Sequence, residues 1–210
     1  MNNTNLYILD HPLIQQKISF LRDKRTDPHQ FRTLLGEIGA LMAYEVTRSL
    51  PLSEKEVETP MEKTTGYVLT NDVTLVPILR AGLAMCDGIL NLIPKARVGH
   101  LGLYRDKETL KPVEYYCKFP TDIHNSEVII IDPMMATGGS AVAAVDFVKE
   151  KGVKSIRFVC LVASPEGVDL MEKHHKEVPI FTAAYDRELN DHGYILPGLG
   201  DAGDRLYGTE

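Results

Sequence analysis

Hydrophobic residues recur along the chain at two spacings that predict strands and helices. Mainly apolar runs predict strands that are buried on both faces, as in a parallel sheet: residues 73–79, 128–131 and 156–163. Two further strands are predicted over residues 97–103 and 179–184. Apolar positions three and four residues apart predict helices, over residues 12–22, 31–46, 83–92, 141–149 and 168–175. Because strands and helices alternate, the pattern predicts an α/β fold with a parallel sheet.

The N-terminal third lacks this alternation. Residues 1 to about 70 are predicted to form a helical part, with Asp27 as the N-cap of the second helix and a short β excursion over residues 57–69. Pro77 lies inside the first strong strand, which favours an edge or a bulge for that residue. Residues 1–210 are predicted to form one domain, with a separate C-terminal loop from about residue 186 to 210.

Composition narrows the class of protein. The chain has 210 residues, 44% of them hydrophobic, and a net charge of −6, which argues against a broad nucleic-acid-binding surface. Cys86, Cys117 and Cys160 are widely spaced and form no CxxC pair, so reduced and mostly buried thiols are expected. The chain begins without a signal-peptide pattern and has no apolar run of membrane-spanning length. A cytoplasmic protein is therefore predicted.

The run after residues 128–131 carries the clearest candidate chemistry. Asp132 stands where the strand ends, and small residues follow it into the next helix: Ala136, Thr137, Gly138, Gly139 and Ser140. The backbone N–H groups at the start of a helix have no partner within the helix and can donate to a phosphate, and small residues let the phosphate approach them. The carboxylate of Asp132 cannot bind phosphate, so its expected partners are hydroxyls or a phosphate-bound metal. A phosphate site beside an acid that binds hydroxyls indicates a ribose 5-phosphate as the ligand. The glycines alone would equally fit an ordinary turn. Neither the G-x-x-x-x-G-K-[ST] nor the G-x-G-x-x-G pattern is present.

Two arginines and a glycine-rich run complete the set of candidates. Arg80 and Arg105 each end a predicted strand, at the edge where parallel sheets bind ligands, although a lone arginine more often forms a surface ion pair. Residues 105–120 are charged and aromatic and are predicted to form a β-arm or lid. Residues 193–205 are too rich in glycine for regular structure. Their leucines and isoleucine predict an ordered loop packed on the body.

These motifs resemble those of the uracil phosphoribosyltransferases, a family of type I phosphoribosyltransferases. An acid followed by Thr-Gly-Gly-Ser is similar to the family's motif for 5-phospho-α-D-ribose 1-diphosphate (PRPP), and Asp132-Pro133 replaces the two adjacent acids that most type I enzymes carry. Pro-Ile-Leu-Arg-Ala-Gly-Leu, which contains Arg80, resembles the pyrophosphate loop. The glycine-rich run resembles the hood that binds uracil. The likeness covers most of the chain and implies a five-stranded parallel sheet with N-terminal helices, a lid and a hood.

The resemblance implies a role for each candidate residue. Arg80, Arg105 and Asp201 are the implied catalytic residues. The implied PRPP-binding residues are Arg80, Arg105, Asp132, Pro133, Met134, Met135, Ala136, Thr137, Gly138, Gly139, Ser140 and Asp201. The implied uracil-binding residues are Ile195, Gly200, Asp201 and Ala202.

The implied reaction converts uracil and PRPP to UMP and diphosphate in pyrimidine salvage. Mg2+ is the implied cofactor, held through PRPP and water rather than by a dedicated set of protein ligands. Neither nucleic acid nor membrane is an expected partner, and a homo-oligomer of two or more chains is expected. Some members of the family are activated by GTP, so a GTP effector belongs to the expectation as well, although no residue pattern decides it.

Two other functions remain open from the sequence. One is transfer to a different base, such as a purine, against which the hood sequence argues. The other is a regulator that senses PRPP or UMP and binds RNA without turnover; the net charge of −6 and the lack of a basic stripe argue against it.

Overall fold

The computed structural model describes residues 5–105 and 112–209. Its helices are α1 (Pro12–Arg22), α2 (Pro28–Val46), α3 (Gly82–Leu92), α4 (Gly139–Glu150), α5 (Pro165–His175) and α6 (Ala202–Tyr207), with a 3-10 turn at Ile123–Asn125. Its longer strands are β1 (Leu6–Ile8), β2 (Leu52–Glu58), β3 (Lys63–Leu69), β4 (Val73–Leu79), β6 (His100–Arg105), β7 (Pro112–Lys118), β8 (Glu127–Ile131), β10 (Ser155–Ala163) and β11 (Ile180–Tyr185). Two-residue strands are β5 (Arg97–Val98), β9 (Met134–Met135), β12 (Glu188–Leu189) and β13 (Ile195–Leu196).

The central sheet has the strand order β1-β11-β10-β8-β4-β6-β7. Every neighbouring pair in this order is parallel except β6 and β7, which run antiparallel. The predicted parallel sheet is confirmed. It is wider than the five strands that the resemblance implied, because β1 adds an edge beside β11 and β7 adds the other edge beside β6.

Two hydrophobic clusters cover the two faces of the sheet. Ile129 and Ile131 face the first cluster, which includes residues of α1, α2 and α3. Val128 and Ile130 face the second, which includes residues of α4 and α5. Successive side chains of a strand point to opposite faces, so helices on both sides explain why β8 is apolar at every one of these positions.

Pro77 lies in an interior strand rather than at an edge. Leu75 accepts a hydrogen bond from the Gly99 N–H at 2.9 Å, so Pro77, two residues further on, faces the same side of β4. On that side the pairing is interrupted between β5 and β6. The missing N–H of proline therefore falls where the ladder has a gap, which is how an interior strand accommodates it.

The structure corrects one expectation for the C-terminal run. Residues 193–205 were expected to lack regular structure, yet β13 and the start of α6 lie within them. The Asp201 carboxylate accepts a hydrogen bond from the Asp204 N–H at 2.9 Å and begins α6 directly after Gly200. The prediction was wrong because an N-cap side chain can start a helix within a glycine-rich run.

The predicted β excursion is a hairpin formed by β2 and β3, and it begins earlier than expected, at Leu52. Its strands pair with each other and not with the central sheet, and nearly all of its side chains are exposed, including Met61 at its turn.

The predicted Asp27 N-cap is confirmed by a 2.9 Å hydrogen bond from the Gln30 N–H. The three cysteines are free thiols. Among the described helices, none is both long and apolar enough to cross a membrane.

Helices α2 and α3 pack with their backbones in close contact, and α3 leads directly out of the loop at the end of β4. A Cβ added at Gly88 of α3 would lie 1.9 Å from the Gly36 carbonyl oxygen of α2. A Cβ at Gly36 would meet its nearest neighbour, the Ala84 carbonyl oxygen, at an ordinary 3.6 Å. The two facing glycines therefore differ sharply in the room available to a side chain.

This asymmetry predicts opposite effects of the same substitution. Gly88→Ala must separate the helices, and overpacking of this kind lowers the free energy of unfolding by about 1–3 kcal/mol. Gly36→Ala is the matched control, and its better helix propensity should raise that free energy by up to about 1 kcal/mol. Urea unfolding of both variants tests this. Equal effects of the two substitutions would contradict the packing argument.

Candidate active site at the carboxyl ends of the strands

A cavity of about 670 Å³ lies between the ends of the central strands and the C-terminal loop. One wall consists of residues in or after β4, β6 and β8: Ile78, Leu79, Arg80, Ala81, Leu103, Asp132, Met134, Ala136 and Ser140. The opposite wall consists of the hood, a name kept here for residues 186–209. Its lining residues are His192, Gly193, Tyr194, Ile195, Gly200, Asp201, Ala202 and Gly203. The carboxyl edge of a parallel sheet is where α/β folds bind ligands.

Asp132 is the acid of the strand-end wall. Its N–H donates to the Val159 carbonyl at 3.1 Å, which continues the sheet by one residue beyond β8. Burial is the main reason why the pKa of its carboxyl is raised to about 7; a long contact with the Met134 N–H at 3.5 Å opposes this rise, and the negative charge of Asp201 across the cavity adds to it. Asp132 is therefore poised to change its protonation state near neutral pH.

The loop after Asp132 leads into α4 through a left-handed residue. Gly138 has φ +80° and is the N-cap of α4, without a side-chain hydrogen bond to the helix. A Cβ on Gly138 would also lie 2.7 Å from the Gly167 carbonyl oxygen. Glycine is therefore required for both conformation and space. The N–H groups of the first turn of α4 have no acceptor within the helix, and Ser140 of this turn lines the cavity.

Helix α5 supports this loop from behind. The Ser164 hydroxyl donates to the Ala136 carbonyl at 2.5 Å and accepts from the Gly167 N–H at 3.0 Å, so one side chain caps α5 and anchors the loop. A Cβ on Gly167 would lie 2.5 Å from the same Ala136 oxygen. The shape of the loop thus depends on a serine and a glycine that sequence reasoning did not select.

The two candidate arginines stand at the ends of neighbouring strands. Arg80 follows β4 and lines the cavity, and the Leu79–Arg80 peptide bond is cis. Arg105 ends β6, where its backbone pairs with Pro112, and its side chain lies outside what the structure describes. The predicted tip of the lid, residues 106–111, also lies outside the described residues. Of the predicted β-arm, residues 105–120, the structure describes β7, which pairs antiparallel with β6.

The hood contributes Ile195 of β13 to the cavity wall, and the main chain of this residue does not hydrogen-bond with β12. Tyr194 and Leu196 turn their carbonyls toward the β12 side, where they accept from Asn190 and Arg187 at 2.8 and 3.0 Å. Ile195 lies between them, so its N–H and C=O point the other way, toward the turn that ends at Gly200. Its carbonyl oxygen lies so close to that turn that a Cβ on Gly198 would approach it to 2.1 Å.

An ion pair fixes the same turn from the side of α1. Arg22 donates to both carboxylate oxygens of Asp186, at 2.6 and 2.7 Å, and to the Gly198 carbonyl at 2.8 Å. Asp186 also accepts from the Gly198 N–H at 2.8 Å. Both polar groups of the Gly198 residue are therefore held by one two-pronged, charge-assisted pair.

Two further arginines satisfy the carbonyls around α6. Arg205 donates to the carbonyls of Leu21, Leu199 and Asp23 at 2.6, 2.8 and 2.7 Å, and its guanidinium lies over the Phe31 ring. Arg32 of α2 donates to the Leu206 carbonyl at 2.7 Å. Desolvation by burial lowers the pKa of Arg205. The hood is therefore fastened to the N-terminal helices by guanidinium groups as well as by its own apolar residues.

The structure brings most of the sequence-predicted residues to one cavity. Those that line it are Arg80, Asp132, Met134, Ala136, Ser140, Ile195, Gly200, Asp201 and Ala202. Pro133 and Met135 are directed into the sheet, where their carbonyls accept from β10 and from Ser164. Thr137 and Gly139 belong to the loop and the start of α4 without lining the cavity wall. Sequence reasoning included Gly193 and Tyr194 in the glycine-rich run without assigning them to the site, and it missed His192. It also assigned no role to Arg22, Asp186 and Arg205, whose partners include residues far away in the sequence.

This fold and this cavity define a class, the type I phosphoribosyltransferases. A crystal structure of adenine phosphoribosyltransferase from Trypanosoma brucei, in complex with AMP, pyrophosphate and ribose-5-phosphate, superposes with a TM-score of 0.61 at 15% identity, covering 94% of this chain and 88% of that one. At this identity the likeness concerns the fold alone. The AQ2163 protein from Aquifex aeolicus is much more similar, with a TM-score of 0.91, 40% identity and coverage of 96% and 97%.

The family follows from the sequence comparisons. The family model described as "Uracil phosphoribosyltransferase" matches residues 8–209. The uracil phosphoribosyltransferase of Dictyoglomus turgidum is 59% identical over 204 residues, covering 97% of this chain and 99% of its own length. That of Geobacillus sp. is 58% identical over 206 residues, with 98% and 99% covered. The chain belongs to the uracil phosphoribosyltransferase family.

The raised pKa of Asp132 makes a prediction about stability. Its ordinary value is 3.8 and its value in the fold is about 7. Well below pH 3.8 the carboxyl is protonated in both the folded and the unfolded protein and does not affect stability. As the pH rises from 3.8 to about 7, the unfolded protein loses this proton more readily than the folded one, and folding becomes less favourable. Above about pH 7 this loss of stability is complete. Asp132→Asn removes that loss, so its Tm without ligands should exceed that of the parent, more at pH 8 than at pH 5.

Thermal unfolding at both pH values measures the difference. Asp191→Asn, a change at an exposed carboxyl outside the cavity wall, is the control and should shift Tm equally at the two pH values. A Tm difference for Asp132→Asn that does not depend on pH would show that burial does not govern this carboxyl.

The clamp on Gly198 makes a second prediction. Arg22→Ala leaves the carboxylate of Asp186, whose side chain is 6% exposed, without its counter-charge, which should lower the free energy of unfolding by about 3 kcal/mol. Arg25→Ala breaks a pair of equal length, 2.6 Å, in which the arginine side chain is 84% exposed, and should change stability little. The double variant Arg22→Ala/Asp186→Ala should lose less than the sum of its parts. Additive losses in denaturant unfolding would contradict the clamp.

Proposed function

We propose that this chain transfers the phosphoribosyl group of PRPP to uracil, yielding UMP and diphosphate, in the cavity between the strand ends and the hood. The observation that carries the proposal is the juxtaposition of three groups at one cavity. These are an acid at the end of β8, a helix start behind small residues that has no side-chain cap, and a hood that places Ile195 and residues 200–203 on the opposite wall. A ligand with a diol, a phosphate and a planar amide edge matches all three.

The 5-phosphate is assigned to the loop at the start of α4. Small residues from Ala136 to Ser140 let phosphate oxygens approach the backbone N–H groups, and the helix dipole favours a negative charge there. The Thr137 and Ser140 hydroxyls supply further donors. The Ser164 and Gly167 contacts keep this loop in shape before the ligand arrives, so little ordering is required when it binds.

The ribose hydroxyls are assigned to Asp132. An ionised carboxylate accepts hydrogen bonds from both hydroxyls of a diol, whereas the protonated acid turns one of its oxygens into a donor, and the pKa of Asp132 is about 7. Ligand binding should therefore favour loss of the Asp132 proton, so that PRPP affinity rises with pH up to neutrality and levels off above it.

The pyrophosphate is assigned to Arg80 and Arg105. Arg80 follows β4, and Arg105 ends the neighbouring strand β6. A guanidinium keeps its charge at any physiological pH and binds phosphate oxygens in pairs. The charge on the leaving pyrophosphate grows as the anomeric C–O bond breaks, so these arginines stabilise the transition state more than bound PRPP. The ribose meanwhile acquires oxocarbenium character, and the enzyme contributes mainly position and charge compensation.

Uracil is assigned to the hood. Its edge offers an acceptor, a donor and an acceptor across O4, N3–H and O2. Main-chain groups of Ile195 and of residues 200–202 have the complementary character, and the position of these residues on the cavity wall supports this role. Cytosine carries an acceptor at N3 and a donor at C4, so both contacts would become unfavourable, which discriminates by roughly 10⁴ or more.

Mg2+ is the proposed cofactor, and the residues present fit it in a particular way. Within the described ranges, no cluster of three or more His, Cys, Asp or Glu side chains is arranged to hold a metal. Asp132 and Asp201 both border the cavity, and one or two carboxylates completed by phosphate oxygens and water are the usual surroundings of Mg2+. When bound with PRPP, the ion would neutralise pyrophosphate charge. Asp201 would face it from the hood.

A homo-oligomer is proposed as the working form. The exposed hairpin β2–β3 carries apolar side chains on both strands, among them Leu52, Val57 and Tyr67, and a lone two-stranded ribbon is marginally stable in water. Contact with a second copy would cover these residues. Activation by GTP remains a prediction from the resemblance, and a place in the cytoplasm remains a prediction from the sequence.

The reaction is tested by pyrophosphate release from PRPP and Mg2+ with uracil, cytosine, orotate, hypoxanthine or no base. Turnover is expected with uracil and at least 10³-fold less with the other bases. Release with hypoxanthine would instead favour a purine enzyme. Binding of RNA that weakens with salt, without any turnover, would favour the regulator.

Two hood variants test main-chain recognition of uracil. Ile195→Val keeps both main-chain groups and loses one methylene, a change of about 0.5–1.5 kcal/mol, so most activity and the preference for uracil should survive. Gly200→Val places a branched Cβ at φ +80° and should abolish activity. The measurement is kcat/KM for uracil and cytosine in folded variants. An Ile195→Val enzyme that accepts cytosine would assign specificity to the side chain.

A further inference from the structure

Arg80 has a partner that belongs to neither the strand ends nor the substrate. Its guanidinium carbon lies 5.1 Å from the centre of the Tyr207 ring, at the end of α6, and the Tyr207 hydroxyl donates to the Arg80 carbonyl at 3.2 Å. One tyrosine therefore contacts both the side chain and the main chain of the arginine. No carboxylate of the described residues lies within ion-pair distance of Arg80, which leaves its charge available to an anion in the cavity.

The position of Tyr207 in the chain gives this contact its meaning. It is the last residue of α6, and the same helix begins at Asp201, the hood residue on the cavity wall. Helix α6 is fixed by Arg32, which donates to the Leu206 carbonyl, and by Arg205. The ring is thus attached to a rigid element, whereas Arg80 belongs to a loop and has several rotatable bonds.

We infer that Tyr207 is a positioning residue for pyrophosphate binding: its ring holds the Arg80 guanidinium at the cavity wall. This inference rests on the proposed role of Arg80. A long side chain loses freedom when it binds an anion, and a ring that already restricts it removes part of that cost. The contact also joins the two walls, because the helix that begins at the hood's Asp201 ends at the arginine of the opposite wall.

The ring, rather than the hydroxyl, carries the effect. An O–H···O hydrogen bond of 3.2 Å is long compared with the usual 2.7–2.8 Å, and this one lies in an exposed place. The face of an aromatic ring attracts a guanidinium without help from a hydroxyl, and Phe and Trp present such a face as well as Tyr does. Tyr207→Phe should therefore bind PRPP and pyrophosphate as the parent does, whereas Tyr207→Leu should bind both more weakly.

The expected effect is specific to one substrate. Tyr207→Leu should raise KM for PRPP and the inhibition constant of pyrophosphate about three- to tenfold, in the range of a cation–π contact. KM for uracil should change less than twofold, and Tyr207→Phe should lie within about twofold of the parent throughout. A Tyr207→Leu enzyme with unchanged PRPP and pyrophosphate constants would overturn the inference, as would a rise confined to uracil KM, which indicates a disturbed hood.

A double-mutant cycle separates positioning from general destabilisation. If Tyr207 acts through Arg80, Tyr207→Leu should have no further effect on pyrophosphate inhibition in an Arg80→Ala background. An additive loss would overturn the inference. If Arg80→Ala alone leaves PRPP and pyrophosphate constants unchanged, the proposed role of Arg80 fails first, which is a distinguishable result. Should Tyr207→Leu fold poorly, Tyr207→Met takes its place in the same cycle.

The chain offers a matched control for the tyrosine itself. Tyr44 lies on α2 with the Arg48 guanidinium 5.2 Å from its ring centre, the same kind of pair at nearly the same distance but away from the cavity. Tyr44→Leu should leave the PRPP and pyrophosphate constants as they are in the parent. A change equal to that of Tyr207→Leu would show that loss of any surface tyrosine disturbs the enzyme, and would overturn the inference.

Discussion

Hydrogen bonds from arginine side chains to main-chain carbonyls determine the shape of the hood, and half of the cavity depends on them. The turn between Ile195 and Gly200 has too few residues in regular structure to satisfy its own polar groups. Arg22 and Arg205 satisfy several of them from the body of the protein, and Asp186 completes the bond to Gly198. Because an unpaired buried polar group is expensive, the turn has little freedom to adopt another conformation.

The other half of the cavity is rigid for a different reason. Strands β4, β6 and β8 are neighbours in a sheet that is covered on both faces, so the residues that follow them are placed by the hydrophobic core. The loop into α4 is then held by contacts with α5 that leave no space for side chains. A ligand between the two walls thus meets one surface fixed by apolar packing and another fixed by charge-assisted hydrogen bonds. The two walls respond differently to salt and to temperature.

Much of the strand-end wall was predictable because its signals are local. An apolar run, an acid and a glycine-rich helix start follow one another within residues 128–140, and they predict both the element and its chemistry. The helices could be predicted from spacing alone, to within a few residues at their ends. The hood was harder. Its residues were identified by resemblance, and its short strand and helix were missed because glycines conceal a cap such as Asp201.

What could not be predicted depends on residues far apart in sequence. Arg22 and Asp186 are separated by 164 positions, and neither has a neighbouring motif that identifies the other as its partner. The same holds for Arg80 and Tyr207, which are 127 positions apart. The raised pKa of Asp132 depends on burial and on Asp201, which only the folded arrangement brings near. Local patterns therefore gave the elements, whereas the electrostatics of the site required the tertiary structure.

The pairing of β1 with β11 has a consequence for the order in which the protein can be built during synthesis. Residues 6–8 have their partners at 180–182, and Leu21 and Asp23 await Arg205. Strand β1 and helix α1 must therefore wait until residues up to 205 have been synthesised before their contacts are complete. Distant pairings of this kind slow folding, since a long loop must close before they stabilise anything. The hood, which follows these elements in the chain, closes both the cavity and the fold.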